Sequence, residues 1–415
     1  MTLNLTHEEK EILKGREGKA KAKAMKILVT LGEIFGAQRL IPVSSVQISG
    51  VSYKTIGDAG IEFIKDLSEE AKVVVESFLN PIGMDEQRWQ EMGFSPQFAE
   101  KQHLILKYYK RMGIKPTLTC TPYYIKPPKF GEHLAWGESS AVIYVNSVVG
   151  ARTNREGGPS ALASALIGKT PEYGFHLEKN RRPTFLVKVK IDQEEMGEDA
   201  PLFYPLLGKI TGEKLKSEVP LFKGIVPDRD EMKSLGAAMA ASGAVALYHI
   251  HDHTPEAIAH HYHEDEIPEK KRIEVNWEDI KIEVERYKKS LREMVRKKGK
   301  KPILIAVGCP HLSEKELKKA ASLLSGLEKK KLEKHFRLWL FTSRYLKEKC
   351  RREVEIIEKS GAKVFADTCM VVSPIEEHYE FTVTNSGKAL VYLPKMCKQR
   401  VSLNSLESVI GEVMK

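Results

Sequence analysis

Ile303-Leu304-Ile305-Ala306-Val307-Gly308-Cys309-Pro310-His311-Leu312-Ser313-Glu314-Lys315-Glu316 is the stretch that decides the fold. Its five unbroken apolar residues are too few for a buried helix and suit a strand covered on both faces. Gly308-Cys309-Pro310 ends that strand as a turn, and Ser313 with Glu316 three residues on forms a capping box, predicting a helix to Leu327. Strand, tight turn and helix make one βα unit, and such units assemble into parallel sheets. Downstream the unit repeats. Residues 338–341 read as the next strand, Thr342 or Ser343 as the cap of a helix to Lys359, Gly361 as its C′ residue, and 363–365 as a strand ending at Asp367-Thr368-Cys369. A strand-turn-strand around Asn385-Ser386-Gly387-Lys388 is predicted to close the chain.

Upstream, Thr6 with Glu9 caps a helix over 6–34 that stops at Phe35-Gly36. Residues 40–48 read as a strand leading through Ser49-Gly50-Val51-Ser52 to a helix over 60–67. Strands are also predicted over 73–79, ending at Asn80-Pro81, over 114–119, ending at Cys120-Thr121-Pro122, and over apolar 141–145. Residues 172–190 are rich in short β segments, 201–207 are apolar around Pro205, and 270–301 are charged at helical spacing, which predicts a connector between domains. The fold class is α/β, with several βα units in mostly parallel sheets. At 415 residues the chain holds two or three domains, read as an N-terminal α/β domain over 1–155, a mixed region over 156–290 and a C-terminal α/β domain over 291–415.

Hydrophobic residues make up 42% and charged residues 29%, a balance that excludes disorder for the bulk of the chain. No apolar run reaches the roughly 18 residues of a membrane span, and the polar N-terminus is unlike a signal peptide, so the expectation is a cytoplasmic protein without membrane contact. Five scattered cysteines fit no disulfide framework and point to a reducing compartment. The formal charge of +10 suits an anionic small substrate. Nucleic acid is not expected, because the basic runs at 297–301 and 329–334 lack interleaved aromatics, and the mixed run 328–334 reads as a solvated helix face.

Cys120, Cys309 and Cys369 each stand just past the carboxyl end of a predicted strand, the edge at which open α/β sheets bind ligands. Thiols converging there could hold a cubane iron–sulfur cluster with one iron left open as a Lewis acid, or could be three separate buried small side chains. Cys350 falls on an apolar helix face and reads as core; Cys397 lies in a basic loop without a ligand cage. Ser49-Gly50-Val51-Ser52, Asn80-Pro81 and Ser386-Gly387-Lys388 are polar turns fit for an anion or for nothing more than turning, and Gly150 to Pro159, with Arg152 and Arg155, makes a second candidate cradle. Glu138 reads as an acid or base, or as a helix-cap acid. Six histidines fall between His249 and His263, and a zinc site on His249, His251 and His253, joined by His260 and His263, would make the chain a zinc hydrolase.

These residues together resemble the aconitase X family over nearly the whole chain: Ser49-Gly50-Val51-Ser52, Asn80-Pro81, Thr119-Cys120-Thr121-Pro122, Gly137-Glu138-Ser139, the Gly-Ala-Arg-Thr-Asn-Arg-Glu-Gly-Gly core at 150–158, Gly308-Cys309-Pro310, Asp367-Thr368-Cys369 and Ser386-Gly387-Lys388. The resemblance implies an aconitase-like architecture around a central cleft. It also implies a [4Fe-4S]-dependent hydro-lyase converting (R)-5-phosphomevalonate into trans-anhydromevalonate 5-phosphate, in a modified mevalonate route to isoprenoids. Within the family the alternative is a dehydratase of cis-3-hydroxyproline. Carried over by position, Cys120, Cys309 and Cys369 are the cluster ligands. Gly50, Val51, Ser52, Asn80, Pro81, Glu138, Ser139 and Lys388 are the substrate-binding residues, with Glu138 and Ser139 also expected to assist proton transfer. Unlike ordinary aconitases, the chain has no Cys-x-x-Cys pair and no room for the swivelling fourth domain, which the family carries on a separate small subunit. A heterodimer with that subunit, which would bring a catalytic serine, is therefore expected.

Overall fold

A computed structural model describes residues 3–191, 193–297, 299–326 and 333–413. The predicted helix end at Leu327 and most of the charged run that follows it lie outside the described residues. The strands are β1 (Leu40–Pro42), β2 (Ser45–Ile48), β3 (Glu76–Leu79), β4 (Ala135–Trp136), β5 (Lys169–Pro171), β6 (Phe185–Lys190), β7 (Pro220–Lys223), β8 (His249–Ile250), β9 (Arg272–Asn276), β10 (Ile303–Val307), β11 (Phe336–Thr342), β12 (Lys363–Ala366), β13 (Phe381–Thr384) and β14 (Arg400–Leu403). They form three parallel sheets, ordered β3-β2-β4, β8-β7-β6-β9 and β12-β11-β10-β13-β14, and one antiparallel ribbon of β1 and β5. No described helix is long and apolar enough to cross a membrane.

β10 is central in its sheet and buried along its whole length, as its composition requires. Successive side chains point to opposite faces. Leu304 and Ala306 therefore enter the core shared with the N-terminal sheet, while Ile303, Ile305 and Val307 enter a separate core under the C-terminal helices. The long helix Trp277–Lys297 is the expected connector, but its inner stripe also builds core: Trp277, Ile280, Val284 and Tyr287 pack in the middle core, and Leu291 and Met294 in the C-terminal one.

Several predicted elements take a different form. Residues 141–145 belong to a helix, Ser139–Tyr144, that runs on as a wider turn to Val149, because the Glu138 carboxylate accepts from Ala141 N and caps it. Five apolar residues alone cannot separate the two periods. Residues 114–119 form no strand and contribute one bridge, Leu118 to Leu79. The predicted closing strand-turn-strand is a β13–helix–β14 crossover: Ser386 accepts from Ala389 N and starts the helix Gly387–Cys397, so β14 returns parallel to β13. Residues 40–48 split into β1 and β2. The first helix breaks between Leu13 and Lys19, where Gly15 and Gly18 take positive φ, and the helix predicted to Lys359 breaks at Cys350.

Chain order reverses at two places that decide where ligands can go. In the C-terminal sheet β11 and β12 lie to one side of β10 and β13 and β14 to the other, so a crevice opens beyond the carboxyl ends of β10 and β13. In the N-terminal sheet β3 and β4 flank β2, so the order switches between β2 and β4, and the carboxyl ends of those two strands are the ligand edge of that sheet.

Candidate functional site

Residues beyond these two strand edges meet. Beyond β10 stands Cys309 and beyond β13 stand Ser386 and Lys388; beyond β2 stand Gly50, Val51 and Ser52, and beyond β4 Glu138 and Ser139. The Lys388 ammonium donates to Glu138 Oε1 in a buried pair that joins the two sheets. Ser140 Oγ donates to Glu138 Oε2 at 2.5 Å, Ala141 N at 2.8 Å, and Ser139 Oγ to Glu138 Oε1 at 3.2 Å. Burial pushes this carboxyl up, but the Lys388 charge and these donors outweigh it and hold Glu138 below the usual carboxylate range. Burial likewise works against the Lys388 charge, and Glu138 with the neighbouring thiols keeps its pKa raised. The pair is thus ionised and satisfied, the condition under which buried charges persist.

All three of Cys120, Cys309 and Cys369 reach this place. Cys309 and Cys369 lie within hydrogen-bonding reach of each other; sharing one proton lowers the Cys369 thiol to about 7 and raises that of Cys309. Cys120 is buried and pushed up to about 12 by that burial, with the nearby Glu138 charge adding to it and Lys388 opposing it. Cys120 departs from the strand-end expectation: it follows a single bridge, in which Leu118 sits beside the end of β3 and Thr119 N donates to Leu79 O, and that pairing carries it to the same edge. The cysteine loops also meet the turns. Ile82 N donates to Asp367 O and Cys369 N to Ile82 O, which ties Asn80-Pro81 to the Cys369 loop, and Ser52 Oγ donates to Val372 O at 2.8 Å. Asn80 Oδ1 is buried without a hydrogen-bond partner. Glycines let these backbones close: a Cβ on Gly137 would sit 2.7 Å from Ser49 Oγ, and one on Gly158 2.7 Å from Ser49 O.

Three thiols from three loops beside one ammonium, with an amide donating to one sulfur, make a donor set whose chemistry would suit a thiolate-bound cluster. The residues therefore fit the implied group. Among the described residues no three His, Cys, Asp or Glu side chains are arranged to hold a single metal ion; a cubane instead spreads its thiolates over separate irons.

The histidines do not converge, which overturns the zinc reading. His249 is buried with Nε2 2.7 Å from Arg181 O, His253 Nε2 reaches Pro227 O at 2.8 Å, His251 pairs with Asp252 on a turn, and His260 pairs with Glu178. Their segment bends away from strand geometry after Ile250, so alternate rings share no face. The candidate cradle at 150–159 is likewise used structurally: Arg152 pairs with Glu178, Asn154 is bound to Tyr173 O and Phe175 N, and Glu156 to Ser160 and Thr170. Cys350 is buried core, and Cys397 lies buried at the end of its helix, its thiol on Val371 O at 3.2 Å. Gln47 escaped the sequence reading. Its amide donates to Thr119 O at 2.9 Å and accepts from Glu138 N at 3.4 Å, linking the Cys120 loop to the ion pair. A neutral amide within an apolar strand was its only signal.

Comparisons with known proteins agree with this geometry. Family models described as the first, second and third domains of aconitase X match residues 2–179, 183–285 and 302–415. A Methanosarcina mazei protein named phosphomevalonate dehydratase large subunit is 50% identical, over 98% of this chain and 96% of that one. The crystal structure of Thermococcus kodakaraensis aconitase X, described as the holo-form, superposes with a TM-score of 0.86 at 43% identity, covering 99% of this chain and 100% of that one. A cis-3-hydroxy-L-proline dehydratase of Hypocrea jecorina is more distant, at 32% identity over 98% of this chain and 68% of its own length. Matched along nearly its whole length by these domains and relatives, this chain belongs to the aconitase X family.

Proposed function

We propose that this chain is the large subunit of a phosphomevalonate dehydratase, a [4Fe-4S]-dependent hydro-lyase that removes water from (R)-5-phosphomevalonate to give trans-anhydromevalonate 5-phosphate. The reading rests on one observation: the three thiols of Cys120, Cys309 and Cys369 gather around the Glu138–Lys388 pair that joins the two sheets. The relatives so named support it, as does the distance of those named for hydroxyproline.

Cys120, Cys309 and Cys369 would hold the cluster, which when bound supplies a Lewis acid for the departing hydroxyl. Gly50, Val51 and Ser52 lead into the first turn of the helix Tyr53–Ser68, and their backbone suits the substrate's phosphate or carboxylate. Asn80, with a buried oxygen awaiting a donor, and Pro81 line the adjoining turn. Lys388 supplies a fixed positive charge and orients Glu138. Glu138, ionised and with Ser139 on it, is placed to accept or pass a proton as the C–O bond breaks and the neighbouring methylene loses its proton. The remaining catalytic group, and the closure of the site, would come from a small-subunit partner, the two forming a heterodimer in the reducing cytoplasm.

The test is iron and acid-labile sulfide content of anaerobically prepared protein, together with dehydration of (R)-5-phosphomevalonate in the presence of the small subunit. About four irons per chain are expected, as a cubane requires. They should be lost in each of Cys120→Ser, Cys309→Ser and Cys369→Ser and kept in Cys350→Ser and Cys397→Ser. Zinc in place of iron, or turnover of cis-3-hydroxyproline but not of phosphomevalonate, would overturn the reading.

A further inference from the structure

His311 has no part in the chemistry described above, yet it touches all three cysteine loops. It is 1% exposed. Its ring Nε2 lies 2.9 Å from Thr368 O, and its Nδ1 lies 3.1 Å from Thr119 Oγ1. A carbonyl can only accept, so Nε2 carries a proton, and in the neutral ring Nδ1 accepts from the Thr119 hydroxyl. Thr119 Oγ1 in turn accepts from Thr121 N at 3.0 Å. The backbone N of His311 donates to Cys120 Sγ at 3.1 Å. Thr119 precedes Cys120, Thr368 precedes Cys369, and His311 itself follows Cys309 by two residues. One imidazole therefore spans loops that lie 192 and 57 residues apart in sequence. The network continues from Thr119 O through Gln47 to Glu138 N.

We propose that His311 is a positioning residue that holds the three thiol-bearing loops at the spacing needed to receive the cluster, an inference that rests on the cluster reading of Cys120, Cys309 and Cys369. Cysteines on three separate loops have no short motif to set their distances, and side-chain bonds between the loops must do it instead. The ring is suited to the task because it is rigid, has a partner at either end and offers its own amide to a ligand sulfur. Nothing else on the three loops, among the described hydrogen bonds, joins all of them.

The experiment compares wild type with His311→Phe, which keeps the ring's shape and loses both bonds; His311→Gln, whose amide restores the donor to Thr368 O; and Thr119→Val, which removes the partner at Nδ1. Three quantities are measured: iron and sulfide per chain after anaerobic reconstitution, the rate at which the visible cluster band is lost in air, and the melting midpoint of the metal-free protein. The expected result is at least tenfold faster cluster loss in His311→Phe with a metal-free midpoint close to wild type, recovery in His311→Gln, and an intermediate rate in Thr119→Val. A wild-type lifetime in a folded His311→Phe overturns the inference, as does cluster loss that merely follows the fall in melting midpoint across all variants. Should His311→Phe not fold, Thr119→Val decides: an unchanged cluster lifetime there overturns it. Iron-free wild type overturns the cluster reading and this inference together, whereas iron-loaded wild type with indifferent variants overturns this inference alone.

Discussion

Glu138 illustrates how a single residue carries both of its sequence readings at once. It is the N-cap of the helix Ser139–Tyr144 and the counter-ion of Lys388, each role using a different part of one carboxylate. His249 went the other way. A ring in a cluster of six became a solitary core group with Nε2 on Arg181 O and Nδ1 without a partner. Burial, opposed by that hydrogen bond and assisted by the Arg181 charge, lowers its pKa to about 4. An unfolded chain takes up a proton near pH 6.5 that the folded ring refuses until about 4, so its contribution to stability is full above about 6.5 and falls as pH drops through that window. The loss should be on the order of 3 kcal/mol by pH 4. Urea unfolding at stepped pH should give a shallower decline over this range for His249→Gln than for wild type; equal slopes would contradict it.

Elements were legible where apolar pattern and cap agreed. β10 with its Ser313–Glu316 capping box is such a case, and so is the cap at Thr6 with Glu9. They were misread where a short apolar run or a polar turn fitted two structures. Asn385-Ser386-Gly387-Lys388 has the composition of a hairpin turn, yet Ala389, Leu390, Leu393 and Cys397 follow at helical spacing, and their burial decides for a helix. Gly387 is needed there for space: a Cβ would lie 2.5 Å from Pro205 O and 2.8 Å from Ala238 Cβ, atoms of two packed helices. Gly387→Ala should therefore push the helix start outward, cost about 1–3 kcal/mol in urea unfolding, and displace the adjacent Lys388. Dehydratase turnover should fall at least tenfold, and a variant with wild-type stability and turnover would show that the contact relaxes freely.

At the scale of the molecule, the site exists because two sheets are held face to face. Asp85, fully buried, is one of the fastenings. Its Oδ1 accepts from Arg344 Nη2 at 2.8 Å and Gln87 N at 3.0 Å, and its Oδ2 from Ala366 N at 2.8 Å, so it ties the segment after β3 to the end of β12 just ahead of Cys369. Asp85→Ala would leave the buried amide of Ala366 without its acceptor and the Arg344 guanidinium with only Gln87 and Asp367. A loss of about 3 kcal/mol is expected in urea unfolding, with iron content falling alongside it because the Cys369 loop loses its anchor. Unchanged stability would mean that the two sheets are held by other contacts.

Local sequence suffices for the fold class and for setting Cys309 and Cys369 just past strand ends, whereas the strand expected ahead of Cys120 is a single bridge. Both follow from local period, since a buried strand, a turn and a capped helix can be read within some fifteen residues and the loop after a strand lies at the sheet's ligand edge. The turns at 50–52 and 80–81 are likewise legible, because their glycine and polar composition is local, whereas 386–388 reads as a hairpin turn and is the start of a helix. That these loops meet, that Lys388 neutralises Glu138, that Gln47 and His311 join the cysteine loops, and that the histidines at 249–263 scatter is visible in three dimensions alone. Each of those depends on which sheet ends face each other, a choice made by side chains packing across hundreds of residues and written in no short stretch of the chain.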